Sequence, residues 1–371
     1  MTANTELQDW CTACRVPMQE CHWGGVHPDP AADATEQIAD AVIDLERHPE
    51  SYLRWPWAAL DALYGGMAPG QLHYVVGFSG MGKSVFIASS TLRWADARRK
   101  IAVLPLEQKP KTFRTYLACL SLGIDPGMIL SGDFHAREDG KELGERVAEQ
   151  VYAQIREPFC SRVLIGAAGD VTVDSLRKAV WAAKDFGADA LVIDHIDHLG
   201  TAQGQRKSFY EESVAVNRAA LELAQQHNLL IIAMSQANQE ALRATHDQLS
   251  KYAPLRDNHV LNGGHKRQVA SGMLGLFRPL LGPPEGAGPD DLDAWKDLIA
   301  AARRGDREPH TALEPNTMGV SLMKSRSYGG REGQRINLTW QNGRIVEREA
   351  LPYTLRVHRG GLSLGQAVAR A

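Results

Sequence analysis

Short apolar segments alternate with segments of helical periodicity from Trp55 onward. The clearest apolar segments span residues 72–76, 101–106, 190–193, 229–234 and 273–277. Runs of this length that are apolar on both faces are typical of parallel strands with helices on both sides of the sheet. The pattern therefore predicts an α/β domain with a doubly wound, mainly parallel sheet.

The segment after residue 172 shows the helical period between two of these strands. Val173, Leu176, Val180 and Ala183 recur three or four residues apart. Such a stripe lies along one side of a helix and packs on the sheet. Strand and helix are thus expected to alternate through this region.

Composition divides the chain into four parts. Residues 1–30 are rich in Cys, His, Pro and Gly without any period, and are expected to form a small Cys/His module. Residues 31–53 contain an amphipathic helix that either packs on its own domain or links to a neighbouring subunit. Residues 54–350 form the main domain, with a Pro/Gly-rich insertion at 279–316 that holds one helix. Residues 351–371 form a basic tail.

The overall charge and hydropathy are those of a globular protein in water. The formal net charge is -3, with 44% hydrophobic and 23% charged residues. No stretch approaches the roughly 18 apolar residues of a membrane span, and the first residues lack the basic and apolar regions of a secretory signal. We expect a cytoplasmic protein that is not inserted in a membrane. A local basic channel remains compatible with this net charge.

A glycine-rich loop follows the first apolar segment. Its residues are Gly77, Phe78, Ser79, Gly80, Met81, Gly82, Lys83 and Ser84. They match the pattern G-x-x-x-x-G-K-[ST] of phosphate-binding loops, between an apolar strand and a helical run as that motif requires. Backbone N–H groups of such a loop surround the phosphates, Lys83 reaches the β- and γ-phosphates, and the Ser84 hydroxyl binds Mg²⁺. The loop predicts an ATP–Mg²⁺ site.

Asp194 follows the apolar run 190–193 and is predicted as the acid that holds the metal ion and its water. Hydrolysis of a nucleoside triphosphate requires a carboxylate in this position at a strand end. Asp197 and His198 lie in the same loop and are expected to be solvated.

Glu107 and Gln236 follow two other apolar runs and are predicted to complete the site. Glu107 comes directly after a strand that we expect beside the strand of the phosphate loop, and it would activate the attacking water. A buried structural acid is the alternative for Glu107. Gln236 would sense the γ-phosphate, or is an ordinary polar residue at a strand end.

These motifs, with two later ones, resemble those of the DnaB class of hexameric replicative helicases, in the branch of the phage primase-helicases and the mitochondrial helicase Twinkle. The resemblance spans residues 55–347. Five segments carry it: LDALYGGMAPG at 60–70, Leu106-Glu107, Asp194-His195, LNGGHKRQVA at 261–270 and KSRSYGG at 324–330.

The resemblance implies a RecA-like ATPase fold, ATP hydrolysis with Mg²⁺, and a homo-oligomer in the form of a hexameric ring. It implies single-stranded DNA as the main partner, with primase or other replication proteins as further partners. It also implies that Lys324 and Arg326 reach the ATP of the neighbouring subunit, where a guanidinium stabilises the transferred phosphoryl group. A solvated basic turn is the alternative for these two residues.

Basic residues lie in two segments that are expected to face the central channel of such a ring. They are Arg206 and Lys207 in the first segment and Arg256, Lys266 and Arg267 in the second. Loops of this kind follow nucleic-acid phosphates without reading the base sequence. Ordinary solvated charge is the alternative for each residue.

Three cysteines lie close together near the amino terminus. Cys11, Cys14 and Cys21 offer three thiolates, and His22 and His27 are nearby. Three thiolates and one imidazole suffice for a tetrahedral structural Zn²⁺. His22 directly follows Cys21, and adjacent side chains seldom converge on one ion, so we favour His27 as the fourth ligand. A tail with free thiols is the alternative.

Two other classes of function compete with a ring helicase or translocase. One is an ATPase of the KaiC or RadA kind, which remodels recombination or repair intermediates without unwinding a fork. The other is a scaffold that binds nucleotide without hydrolysis. The scaffold is disfavoured because Lys83, Ser84, Glu107 and Asp194 are all present.

Overall fold

The computed structural model describes most of the chain between residues 51 and 347. The described residues are 51–124, 126–127, 161–167, 171–200, 208–238, 249–256, 259–261, 263–284, 286–326, 331–341 and 344–347. The chain divides into two compact units, Met1–Tyr52 and Leu53–Ala371, and the elements described below belong to the second. The predicted Cys/His module, almost all of the linker helix and the basic tail lie outside the described residues.

The described residues form nine strands and seven α-helices. The strands are β1 (Leu72–Gly77), β2 (Ile101–Pro105), β3 (Val163–Ile165), β4 (Ala190–Asp194), β5 (Leu230–Gln236), β6 (Gly272–Phe277), β7 (Thr317–Ser325), β8 (Arg335–Gln341) and β9 (Arg344–Glu347). The helices are α1 (Ala58–Tyr64), α2 (Lys83–Asp96), α3 (Pro110–Leu122), α4 (Val173–Phe186), α5 (Phe209–Gln226), α6 (Gly263–Val269) and α7 (Pro289–Arg304). None of these helices combines the length and apolar character needed to cross a membrane.

All nine strands belong to one sheet, in the order β3-β2-β4-β5-β1-β6-β7-β8-β9. The first six strands in this order are parallel. The last three continue the sheet in antiparallel hairpins. The predicted α/β class with a mainly parallel sheet is confirmed, and the five predicted apolar runs are β1, β2, β4, β5 and β6.

Both faces of the sheet are covered, because alternate side chains of each strand point to opposite sides. In β1, where all six residues are buried, Val75 packs in one apolar cluster with Phe86 of α2 and Phe113 of α3. Tyr74 packs in the other cluster with Leu176 of α4. The two clusters are the two cores of a doubly wound domain.

Local sequence signals fix the start of one helix and the buried side of another. The Ser208 hydroxyl accepts a hydrogen bond from the Glu211 backbone N–H at 3.3 Å, and the Glu211 carboxylate accepts one from the Ser208 N–H at 2.8 Å. This reciprocal capping box starts α5. In α4 the predicted apolar stripe is confirmed, since Leu176, Val180 and Ala183 are its buried residues.

The position of β2 corrects one prediction. We expected β2 beside β1, but β4 and β5 lie between them. Residue patterns do not encode this order, because a parallel crossover connection is long enough to pass over intervening strands. The correction leaves Glu107 at the edge where β4 ends, since its backbone N–H donates to the Asp194 carbonyl oxygen at 3.0 Å.

The insertion at 279–316 contains the predicted helix, α7. Ile299 and Ala302 of α7 form a small separate core with Ala312 and Leu249. The insertion thus has apolar contacts of its own. The antiparallel strands β7, β8 and β9, which follow the insertion, were not identified from the sequence.

His73 is a buried polar residue within β1, at 4% exposure. Its Nδ1 accepts a hydrogen bond from the Tyr64 hydroxyl at 2.5 Å, and its Nε2 donates to the Gln71 amide oxygen at 2.8 Å. That oxygen also accepts from the Ala68 backbone N–H, which fixes the orientation of the amide and the neutral tautomer of the imidazole. Burial lowers the pKa of His73 from 6.5 to about 3.

Acid should therefore destabilise the fold through His73. Above pH 6.5 the imidazole is neutral in both states, and its stabilising effect is fully present. As the pH falls from 6.5 towards about 3, the unfolded chain binds a proton that the folded chain does not. Urea unfolding should show a loss of about 2 kcal/mol between pH ~7 and pH ~5 that the His73→Gln variant lacks. An equal pH dependence in both proteins would contradict this assignment.

Candidate functional site

The glycine-rich loop connects the last residue of β1, Gly77, to the first residue of α2, Lys83. Gly80 and Gly82 have φ values of 79° and 84°, a left-handed conformation that glycine adopts without steric cost. A Cβ at Gly82 would also meet the Met318 Cε at 2.8 Å. Ser79 and Gly80 are exposed, whereas Met81 is buried. The loop therefore presents its backbone to solvent at its tip.

Lys83 is buried beneath the loop, at 5% exposure. Its Nζ donates hydrogen bonds to the carbonyl oxygens of Gly77 at 2.8 Å and Phe78 at 3.0 Å. Burial lowers the pKa of Lys83, and the charges of Glu107 and Asp194 oppose that shift. The loop lysine and the two predicted acids thus share one electrostatic environment.

Asp194 ends β4 and is fully buried. Neither of its carboxylate oxygens has a hydrogen-bond partner among the described residues, although the His195 Nε2 lies 3.0 Å from Oδ1. A buried carboxylate without hydrogen bonds is costly unless a cation compensates its charge. Together with the Ser84 hydroxyl in the first turn of α2, Asp194 therefore fits the Mg²⁺ ion that accompanies a nucleotide.

Gln236 ends β5 and lies directly opposite Gly77 in the parallel register with β1. The next residue, Ala237, donates its backbone N–H to the Gly77 carbonyl oxygen at 3.2 Å. The predicted sensor is therefore adjacent to the first residue of the phosphate loop.

Glu107 is 39% exposed at its side chain, and so it is open to solvent rather than a buried structural acid.

Asp197 is not the solvated loop residue that we expected. Its Oδ2 accepts a hydrogen bond from the Gln236 backbone N–H at 2.7 Å, and its Oδ1 contacts the Lys266 Nζ. The side chain is only 10% exposed. Asp197 therefore anchors the end of β5 to α6. His198 is exposed, as expected.

Lys266 corrects the predicted set of DNA contacts. Its side chain is fully buried, and its Nζ also donates to the Ser235 hydroxyl at 2.8 Å and the Leu261 carbonyl at 3.0 Å. Burial lowers the pKa of Lys266, and Asp197 raises it. All three protons of the ammonium are thus engaged inside the protein, so Lys266 offers nothing to a nucleic acid here.

Lys324 and Arg326 lie at the carboxyl end of α6. The Lys324 Nζ contacts the Arg267 carbonyl oxygen, and the Arg326 guanidinium donates to the Gln268 carbonyl oxygen at 2.7 Å. Burial lowers the pKa of Lys324, and the neighbouring charges of Arg326 and Arg267 lower it further. Carbonyl groups at a helix end attract cations, so α6 holds both predicted trans-acting side chains.

A cavity of about 230 Å³ adjoins the phosphate loop. Arg278, Asn316, Met318 and Trp340 line it together with Gly82 of the loop. An aromatic ring, a guanidinium and an amide are groups that stack on a nucleobase or bond to its edge. The cavity was not predicted from the sequence, because Met318 and Trp340 lie on β7 and β8, two strands that were not identified there.

The remaining predicted residues divide into two groups. Arg256 and Arg267 are exposed, and their contact with DNA stays a prediction. Arg206 and Lys207 lie outside the described residues. So do the predicted zinc ligands Cys11, Cys14, Cys21 and His27, with the alternative ligand His22.

Comparisons with known proteins relate this chain to one family and to one fold. A family model for the DnaB-like helicase C-terminal domain matches residues 54–263. A solved DnaB-like replicative helicase, studied with its primase interactions, is 15% identical, with 88% of this chain and 69% of that chain covered and a TM-score of 0.59. A solved ATPase domain is 14% identical, with 87% and 100% covered and a TM-score of 0.61.

A KaiC-like protein from Pyrococcus horikoshii is also similar, at 15% identity and a TM-score of 0.46, with 80% of this chain and 97% of that chain covered. The search of curated proteins found no match. At such identities the likeness to the first two structures shows the fold, which is the RecA-like ATPase fold predicted from the sequence.

Removing Lys266 should destabilise the protein strongly. Lys266→Ala leaves Asp197 largely buried without its cation, and breaking a buried pair in this way costs about 3–5 kcal/mol. Arg267→Ala, one residue away on the exposed side of α6, is the matched control and should cost less than about 1 kcal/mol. Chemical denaturation of both variants measures the difference. Similar small losses in both would show that the Lys266 contacts contribute little.

Proposed function

Because this chain belongs to the family of DnaB-like helicase C-terminal domains, we propose that it is an ATP-dependent DNA helicase or translocase that acts as a hexameric ring on single-stranded DNA during replication. The family match covers more than half of the 371 residues. The related solved helicase interacts with primase, and primase or another replication protein is the further partner that we propose here.

One observation carries the hydrolytic part of the proposal. The fully buried Asp194 carboxylate, whose oxygens have no hydrogen-bond partner in the described part of the chain, shares its electrostatic environment with the phosphate-loop lysine and with Glu107. A site that binds nucleotide without hydrolysing it needs no general base beside the acid that holds the metal ion. Hydrolysis is supported by the combination of a metal-binding acid (Asp194), a loop lysine (Lys83) and a solvent-exposed base (Glu107).

Each side chain then has a defined task. The loop N–H groups and Lys83 bind the β- and γ-phosphates, and the Lys83 ammonium exchanges its bonds to loop carbonyls for phosphate oxygens. Ser84 and Asp194 hold Mg²⁺, which neutralises phosphate charge when it is bound. Glu107 accepts the proton of the attacking water. The cavity beside Gly82 receives the base, with Trp340 and Arg278 at its sides.

The proposed contact with the ATP of a neighbouring subunit involves two side chains that lie at the carboxyl end of α6. In the single chain, Lys324 and Arg326 bond to α6 carbonyls, so these side chains are available to a neighbour only when those bonds are released. A guanidinium from a neighbouring subunit stabilises the charge of the transferred phosphoryl group and links hydrolysis to subunit position. Arg256 and Arg267, both exposed, contact DNA phosphates in the channel, together with Arg206 and Lys207.

Single-stranded DNA should stimulate ATP hydrolysis by the wild-type protein, and forked DNA should be unwound. Glu107→Gln should bind ATP and DNA normally yet hydrolyse at least about 100-fold more slowly, because an amide cannot accept the proton. Lys83→Ala is the contrasting variant and should also lose nucleotide affinity. Phosphate release and binding of a fluorescent ATP analogue measure both. Hydrolysis that DNA stimulates without unwinding would favour an ATPase of the KaiC or RadA kind. Normal hydrolysis by the Glu107→Gln variant would exclude Glu107 as the base.

Mixed rings should locate Arg326. Arg326→Ala protein should bind ATP but hydrolyse about 10³-fold more slowly, because its own phosphate loop is intact while its neighbour lacks the guanidinium. Mixing it with Lys83→Ala protein creates interfaces that pair an intact loop with an intact arginine, so partial activity should return. Full activity of Arg326→Ala alone would contradict the trans role.

A further inference from the structure

A cluster of metal-ligating side chains lies beside the predicted magnesium site. Glu107, His195 and His198 each present a ligand atom, and these three atoms lie within 4.8 Å of one another. The imidazole rings of His195 and His198 are nearly parallel, at 12° and a centroid distance of 6.0 Å. One carboxylate and two imidazoles therefore converge on a small volume.

His195 supplies an independent reason to expect a ligand. Its side chain is 2% exposed, with Nδ1 3.0 Å from the Glu107 Oε2 and Nε2 3.0 Å from the Asp194 Oδ1. Despite these distances, neither ring nitrogen has a hydrogen-bond partner among the described residues. Burying an imidazole without hydrogen bonds is costly. A coordinate bond to a metal ion would satisfy a ring nitrogen that lies 3.0 Å from a carboxylate oxygen without a hydrogen bond to it.

The donor set selects the type of cation. Two imidazoles and one carboxylate bind Zn²⁺, Co²⁺, Mn²⁺ or Fe²⁺, whereas Mg²⁺ prefers oxygen ligands and keeps several waters. The site thus differs in chemistry from the Ser84 and Asp194 pair, which offers oxygen atoms alone. Glu107 and His198 are both exposed, so an ion reaches the cluster from solvent.

We propose that Glu107, His195 and His198 form a second divalent-cation site, which takes a transition-metal ion such as Zn²⁺ and inhibits ATP hydrolysis when it is filled. The inhibitory effect rests on the proposed role of Glu107 as the base, because a carboxylate that coordinates Zn²⁺ cannot accept a proton from water. The binding of the ion does not rest on that role.

Binding is tested on the full-length protein after chelator treatment, without nucleotide or Mg²⁺. Calorimetric titration with Co²⁺ should show a site that His198→Asn weakens by at least about 10-fold, since one of three protein ligands is lost. His310→Asn, which changes an exposed histidine of the insertion, is the matched control and should bind as the wild type does. Neither substitution changes the amino-terminal cysteines, so any metal that they bind is the same in all three proteins and cancels in the comparison.

Inhibition is tested separately with Mg²⁺–ATP. Zn²⁺ should inhibit the wild type and His310→Asn alike, whereas His198→Asn should keep its normal rate and require at least about 10-fold more Zn²⁺ for half-inhibition. Equal Co²⁺ binding by wild type and His198→Asn would overturn the site. Binding that depends on His198 without any effect on hydrolysis would overturn the inhibitory role. A protein that binds Co²⁺ as expected but hydrolyses no ATP would instead contradict the proposed function and leave the metal site standing.

Discussion

The whole site depends on the parallel direction of four strands. Strands β4, β5 and β1 lie side by side, so Asp194, Gln236 and Gly77 all reach the same edge of the sheet. Strand β2 pairs with β4 on its other side and brings Glu107 to that edge. Parallel strands end together, and loops at their carboxyl ends form ligand sites in open α/β sheets. The position of every predicted ATPase residue in the single chain, apart from Lys324 and Arg326, follows from this constraint.

Two buried lysines at this edge have different partners and therefore different roles. Among the described residues, Lys83 bonds only to loop carbonyls, which phosphate oxygens can replace, so its ammonium is available to a ligand. Lys266 bonds to Asp197, Ser235 and Leu261 and stays inside the protein. Through Asp197 it joins the backbone of Gln236 to α6, the helix whose last carbonyls hold Arg326. The end of β5 and Arg326, the predicted trans-acting arginine, thus belong to one connected set of contacts.

Features that a short stretch of the sequence specifies were predicted. Features that depend on contacts between distant residues were not. The phosphate loop and the acids at the ends of β2 and β4 were found because each directly follows an apolar run. The Asp197 and Lys266 contact joins positions 69 residues apart, and each residue alone has the pattern of a solvated loop charge. The order of β2 and β1 was wrong for the same reason. His195 was noted only as part of a motif, since its burial follows from packing and not from its neighbours in sequence.

The central claim is that ATP lies between the phosphate loop of one subunit and Arg326 of the next. An electron cryomicroscopy structure with a non-hydrolysable ATP analogue, Mg²⁺ and single-stranded DNA tests it most directly. The predicted result is a ring in which Lys83 and Asp194 of one subunit and Arg326 of its neighbour surround one triphosphate, with Arg326 released from Gln268. A nucleotide bound by Lys83 in a monomer, or in a ring where Arg326 remains on Gln268 in every subunit, would contradict it.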